Sequence, residues 1–363
     1  LAVAEELKKK QPDCRVIYIG ERGSTFKNLT EDSPMFDASY QVFAGKFRRY
    51  HGRSLMENVL DIKTQLLNIR DAFLFLAGTL QSIVLLHKLK PDAVFLKGGF
   101  VGVPVGIAAK VNGLPFVTHD SDVIPGLANR LVGRWAKLHA VALPAESYAY
   151  PARKTVQVGV IVESSFKPVT PEVQKDLKQQ IGAPAAATVL LVTGGSSGAQ
   201  RLNEAMVKIA GKLLADYSNL LIVHQVGKGK GEVYGSYQHA RLNVLEFMRP
   251  MYAYTGAADV VVTRAGANAM AELGIQKKPV IVVPSRYLTG GHQVKNAELL
   301  ESQQAALAVY EGQEGIDEKE LDQAIRRLLD NPKLRQKLAN DLNSLTIPDA
   351  ARALAVVLLD IAD

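Results

Sequence analysis

The chain has 363 residues, 47% of them hydrophobic and 22% charged, and 43 basic against 36 acidic side chains leave a net charge of +7. That length and balance suit two globular domains, each with its own core, and exclude a disordered or fibrous chain. A single cysteine, Cys14, excludes an intrachain disulfide, and the absence of an RNA-binding aromatic motif, zinc-finger spacing or a long Lys/Arg block argues against a nucleic-acid partner.

In chain order, LAVAEELKKK reads as an amphipathic helix running into the strand RVIYIG (15–20). An α/β chain usually opens on a strand, so we expect a first strand and its loop to precede Leu1. GKFRRYHGR (45–53) then clusters Lys46, Arg48, Arg49 and Arg53 with Phe47 and Tyr50, ahead of an apolar helical stretch through 66–86. Within it, AFLFLAGTLQSIVLL is interrupted by Thr79, Gln81 and Ser82, short of the roughly 18–20 apolar residues of a membrane span. A basic, aromatic patch beside an apolar helix suits an anionic membrane surface. A buried crossover helix with a solvated basic loop beside it fits the same residues.

Strand patterns follow at 93–98, 115–119, 140–144 and 155–159, and a second series at 188–194, 219–227, 242–247, 259–264, 279–284 and 305–310. Nearly continuous apolar strands between helices argue for parallel sheets covered on both faces. The fold class is therefore α/β, with two Rossmann-like, doubly wound domains facing across a cleft. The stretch VIVESSFKPVTPEVQK marks the break, giving domains over 1–162 and 163–345. The last helix, within 346–363, either completes the second domain or packs back on the first.

Four strand-to-helix turns carry candidate chemistry. THDSDVIPGLANR (118–130) holds Asp120 and Asp122 in an Asp-x-Asp, a spacing that often grips a divalent metal against a nucleotide diphosphate. In GGSSGAQ, Gly194, Gly195 and Gly198 permit a tight turn, Ser196 and Ser197 add hydroxyls, and the following helix offers free N–H groups to phosphate. A plain packing turn fits the same glycines, and neither the dinucleotide nor the P-loop pattern is present. TRAGANAMAELG places Gly266 at a helix start and Glu272 six residues on, suited to ribose hydroxyls. GGHQVKN sets Gly291, His292, Gln293 and Asn296 where directed hydrogen bonds can read a sugar.

These segments, with PDAVFLKGGFVGVP and HQVKNAELL, resemble in order and spacing the MurG family of peptidoglycan glycosyltransferases over nearly the whole chain. The resemblance implies a two-domain GT-B fold and an inverting, metal-independent transfer of N-acetylglucosamine (GlcNAc) from UDP-GlcNAc to lipid I. It implies no cofactor beyond the donor substrate, and a peripheral place on the cytoplasmic face of the cell membrane. Carried over, Phe247 and Met248 lie against uracil with the Met248 backbone pairing to its edge, Glu272 holds the ribose, and Ser196 with Ala265, Gly266 and Ala267 faces the diphosphate. His292, Gln293 and Asn296 flank the donor sugar, while Gly98, Gly99, Phe100 and Gly102 cradle the acceptor's diphosphate. The family's His-Glu-Gln-Asn reads here His119-Asp120-Ser121-Asp122, so the aspartates become cleft and helix-start acids, with Asp122 at the acceptor and donor sugars. Other departures are Glu163 for a hinge arginine, Phe100 for a tyrosine, Ala269 for a threonine, and His292 for the first glutamine of a pair.

The family's proposed base, a histidine in the first Gly-rich loop, would precede Leu1, so low activity is expected of this chain. His119, Asp120 and Asp122 are the candidates within it. Two rivals stand beside the lipid I reading: a related enzyme using another UDP-sugar or lipid acceptor, and a non-catalytic nucleotide-sugar-binding partner of a membrane enzyme.

Overall fold

The computed structural model describes residues 1–23, 33–45, 62–287 and 291–362. The basic and aromatic cluster at 46–53 lies outside them. The chain divides into two compact units, Leu1–Glu163 with Asp349–Asp363, and Ser164–Pro348.

In the first unit α1 (Ala2–Lys10) precedes β1 (Ile17–Glu21), which pairs in parallel with β2 (Ala38–Val42). Sequence reading missed β2, because A-S-Y-Q-V lacks the continuous apolar run of a strand covered on both faces. α2 (Ile62–Leu89) packs on α3 (Gly102–Val111). A separate parallel sheet holds β3 (Val94–Leu96), β4 (Phe116–Asp120), β5 (Leu138–Val141) and β6 (Thr155–Gln157) in chain order, with α4 (Leu127–Val132) between β4 and β5. The unit thus carries two sheets among its described residues, where the strand pattern implied one. β5 also starts two residues before the expected stretch.

The second unit begins with α5 (Pro171–Gln180) and is built on six parallel strands. β7 (Thr188–Thr193), α6 (Gln200–Asp216), β8 (Leu220–Gln225) and β9 (Leu242–Leu245) come first. Next are α7 (Met251–Ala257), β10 (Val260–Thr263), α8 (Ala267–Ile275) and β11 (Val280–Val282). α9 (His292–Ser302), β12 (Leu307–Ala308), α10 (Glu318–Leu329) and α11 (Pro332–Ser344) complete it. β12 keeps two residues of the expected 305–310.

The order β12-β11-β10-β7-β8-β9 is a doubly wound sheet whose direction of winding reverses between β7 and β10. The continuous apolar strands follow from helices on both faces. Leu202, Met206 and Leu213 of α6 cover one face with Leu321 and Ile325 of α10, and Met270 and Leu273 of α8 cover the other with Ala297 and Leu300 of α9. Each fully buried aliphatic side chain contributes about 1.5–3 kcal/mol of transfer free energy. α12 (Ala350–Ala362) belongs to the first unit: it packs on α1, and its Leu354 and Leu358 join Val3, Val117, Ala140 and Val158.

Candidate active site

All strands of the second unit run parallel, so the turns after β7, β8, β9, β10 and β11 gather on one edge of the sheet. α6 leaves β7 toward one face and α8 leaves β10 toward the other, opening the crevice where doubly wound folds bind ligands. The helices starting there lack a capping side chain: α6 begins after Ala199, α8 after Gly266 and α9 after Gly291. Their first N–H groups are left to a ligand or to water, and the helix dipole favours an anion. Elsewhere in the unit Thr170, Asp317 and Asn331 cap α5, α10 and α11 through their side chains.

The β7 turn is shaped by close backbone contact. Gly198 has φ +68°, and a Cβ there would run into the Val226 carbonyl; Gly227 has φ +96°, and a Cβ there would crowd the Ser197 carbonyl oxygen. Two loops are thereby pressed together backbone to backbone. Ser196 and Ser197 are exposed, and Gly194 and Gly195 precede them. Thr193 donates its hydroxyl to Gln225 Oε1 (2.7 Å) and accepts from Gly195 N (3.1 Å), tying the turn to the end of β8.

A second brace runs from the other side. Asn203 Nδ2 donates to the Val226 carbonyl (2.9 Å), so its Oδ1 faces His224 Nε2 (3.1 Å), and His224 Nδ1 meets the Tyr234 hydroxyl (2.9 Å). A carbonyl can only accept, which sets the whole chain: Tyr234 O–H donates to Nδ1, and Nε2–H donates to Asn203. Burial holds the His224 imidazole neutral, with its pKa lowered to about 4.

The remaining donor-side residues fall as follows. Phe247 is half-exposed with the Arg249 guanidinium 5.0 Å from its ring centre, whereas Met248 is 1% exposed and packs in the core. Its side chain is therefore not placed against a base, which leaves only the backbone pairing that the resemblance implies. Ala265 is buried, its carbonyl accepting from Asn296 Nδ2 at 3.0 Å, and Ala267 opens α8. Asn296 therefore joins the β10 turn to α9, with one amide end spent on the framework. Gln293 spends its Oε1 on Ser285 N (2.9 Å). His292 is the first residue of α9, and Glu272 is half-buried on α8. Arg264, which heads the β10 turn, is held by buried Glu311 at 2.6 Å.

In the first unit Gly98 and Gly99 form a left-handed turn after β3 (φ +98° and +79°), Phe100 is half-buried, and Gly102 starts α3. The end of β4 is filled from within. Asp120, 4% exposed, accepts from Gly126 N (2.9 Å) and Asn129 Nδ2 (3.0 Å) on Oδ1 and from the Tyr150 hydroxyl (2.8 Å) on Oδ2. Three donors occupy a carboxylate that a cation would have to strip.

His119, 1% exposed, donates Nε2–H to the Gly159 carbonyl (2.9 Å), with Ser121 Oγ 3.5 Å from Nδ1, and burial lowers its pKa to about 4. Two catalytic candidates are thus corrected: His119 and Asp120 are internal braces that no substrate hydroxyl reaches. Asp122, half-buried in the turn, remains. Among the described residues no cluster of three or more His, Cys, Asp or Glu is arranged to hold a metal.

Sequence reading passed over the GKGKG loop, Gly227–Gly231, after β8. Lys230 Nζ donates to the Ser197 carbonyl at 3.1 Å, and Gly231 N donates to Glu246 at 3.3 Å. Alternating glycine and lysine directly after an apolar strand was the available signal.

Two Rossmann-like units, one with a crevice lined by uncapped helix starts, make the GT-B architecture. The family model of the glycosyltransferase family 28 N-terminal domain matches residues 1–141, and that of the C-terminal domain matches 189–354. The chain belongs to glycosyltransferase family 28. It is 31% identical over 346 residues to a UDP-N-acetylglucosamine–N-acetylmuramyl-(pentapeptide) pyrophosphoryl-undecaprenol N-acetylglucosamine transferase of Bacillus cereus (strain ATCC 10987), covering 92% of this chain and 88% of the relative. A Geobacillus kaustophilus (strain HTA426) transferase of the same description is 35% identical over 299 residues, covering 82% and 78%. The crystal structure of Acinetobacter baumannii MurG superposes with a TM-score of 0.72 at 25% identity, covering 99% of this chain and 94% of that one.

Proposed function

We propose that this chain transfers GlcNAc from UDP-GlcNAc to a muramyl-pentapeptide carried on a polyprenyl diphosphate, the reaction in its relatives' names, without a metal or other cofactor. The observation that carries it is the crevice between β7 and β10, where uncapped α6 and α8 supply preorganised N–H groups for a leaving diphosphate. Glu272, a turn and a half into α8, takes the ribose, and the Phe247 ring with the Met248 backbone takes the base. The acceptor hydroxyl attacks the anomeric carbon as the bond to UDP breaks, inverting configuration, and its proton passes to a base. Asp122 is this chain's own candidate for that base.

The test is UDP release by the full chain with UDP-GlcNAc and a lipid I analogue, UDP-glucose run in parallel, and chelator present throughout. Acceptor-dependent release from UDP-GlcNAc above the no-acceptor background supports the reading. Preference for UDP-glucose supports the rival donor, and UDP binding without any release supports the non-catalytic partner.

Membrane association belongs to the same reading. Ile69, Phe73, Leu76, Leu80 and Val84 recur at helical spacing along α2, and each is more than half exposed. As folded, α2 holds a 23-residue stretch, Leu67–Leu89, long and apolar enough by length and composition to cross a membrane, unlike the shorter run read from sequence. Its opposite side is docked: Asp71, Ser82 and Leu86 are buried, and Gly78 lies against the Phe43 carbonyl. A one-sided apolar stripe suits a helix lying in the plane of a bilayer surface. Co-sedimentation with anionic vesicles, lost in Phe73→Ser/Leu80→Ser, checks this; unchanged sedimentation sinks it.

A further inference from the structure

We propose that Lys230 supplies the positive charge of the donor's diphosphate subsite, an inference that rests on the UDP-sugar reading above. A diphosphate leaving group departs with more negative charge than it held as an ester, and hydrogen bonds to charged acceptors are roughly twice as strong as neutral ones. The strand-end edge of the second unit has several cations, and most are committed elsewhere. Arg264 is ion-paired with buried Glu311 and donates to the Val283 carbonyl. Arg249 lies over the Phe247 ring, and Arg201 lies over the Tyr287 ring while donating to the Gly312 carbonyl. Arg286 donates to the Glu311 carbonyl, and Lys295 pairs with Glu298. Lys228 is exposed in the same loop as Lys230.

Lys230 differs in its partner. Its ammonium is anchored at 3.1 Å on the carbonyl of Ser197, inside the Gly-rich turn itself. One of three N–H donors is spent there, and two remain for phosphate oxygens. The anchor is rigid at both ends. Gly198 and Gly227 lock the turn to the start of the Lys230 loop, and the Tyr234–His224–Asn203 chain holds the Val226 carbonyl at the junction. Gly231 N on Glu246 fixes the loop's far side. Lys230 is half-buried, and its loop is fixed from the β8 end, from α6 and from the β9 end, so its charge is held beside the turn before a ligand arrives.

The test compares UDP with uridine in the full chain carrying Lys230→Met or Lys230→Arg, with UDP measured by calorimetry and uridine by ligand-observed NMR. Lys230→Met is expected to weaken UDP by about tenfold or more while uridine stays within about twofold, and Lys230→Arg to restore most of the loss. The salt dependence of UDP affinity should flatten in Lys230→Met and not in Lys230→Arg. Equal losses for UDP and uridine would make Lys230 a structural brace and overturn the proposal, as would an unchanged UDP affinity. A wild-type chain that binds no UDP overturns the donor reading with it, whereas wild-type binding with an indifferent Lys230→Met overturns this inference alone.

Discussion

The turn after β4 in the first unit and the turn after β7 in the second both leave a parallel strand at its carboxyl end and lead into a helix. Their polar groups are spent in opposite ways. At the end of β4 a carboxylate sits where a sequence reader looks for chemistry, yet Asp120 takes donors from Gly126, Asn129 and Tyr150, and His119 is committed to Gly159. After β7 the side chains are small, and what the turn presents is backbone N–H at an uncapped helix start. A satisfied polar network stiffens a fold, whereas an unsatisfied one solicits a ligand.

The largest consequence is in acid stability. Burial lowers His119 and His139 in the first unit to pKa values of about 4, and does the same to His224 in the second. A histidine unfolded titrates near 6.5, so between pH 6.5 and 4 the unfolded chain binds more protons, and stability falls as pH drops through that window. Each such group removes about 1.4 kcal/mol per pH unit there. With two against one, the first unit should lose structure first. The chain's one tryptophan, Trp135, lies in that unit and reports on it by fluorescence, while UDP binding reports on the second. Loss of UDP binding at a higher pH than the Trp135 transition would break the contrast.

Asp120→Ala comes next. It strips a buried acceptor from three neutral donors, and each donor left unsatisfied in the interior costs about 1–3 kcal/mol. Thermal unfolding should shift down by on the order of 10 °C, with UDP affinity of the folded protein unchanged. A loss of turnover without loss of stability would return Asp120 to the chemistry.

The doubly wound fold was legible because parallel strands covered on both faces must be apolar throughout, as β7, β8, β10 and β11 are. β2 escaped because a strand in a two-stranded, half-exposed sheet has no such run. The polar turns were legible as places but not as roles. Asp120 reads as a metal or base candidate until Tyr150, thirty residues on, is seen to hold it, and Met248 reads as a contact until its side chain is seen in the core. Partners remote in sequence decide what a polar residue does, and the pattern of one segment does not carry them. The Lys230 loop escaped for the converse reason: it has neither periodicity nor a known motif, only two lysines alternating with glycines.

Gly198→Ala tests the backbone contact on the β7 side. A residue forced to positive φ costs about 1–3 kcal/mol, and its Cβ would push the turn off the Val226 carbonyl. UDP affinity should fall by about tenfold or more, a larger loss than the change in melting temperature suggests. Equal behaviour of Gly198→Ala and Asp120→Ala, both losing stability and keeping UDP affinity, would mean that the two turns are not different in kind.

Glu272→Gln should have the smallest effect and the sharpest meaning. The substitution keeps the size of a half-buried side chain on α8 and removes only its charge. A carboxylate accepting from two ribose hydroxyls makes charge-assisted bonds that a carboxamide halves, a loss of about 1–2 kcal/mol or roughly tenfold in UDP affinity. Met270 and Leu273, which carry the core contacts of α8, are untouched by the substitution, so the loss should fall on UDP affinity more than on melting temperature. 2′-Deoxy-UDP separates the possibilities: wild type should discriminate against it and Glu272→Gln should not. Equal discrimination by both would remove Glu272 from the ribose, and leave the uncapped α8 start as that helix's whole contribution to the donor.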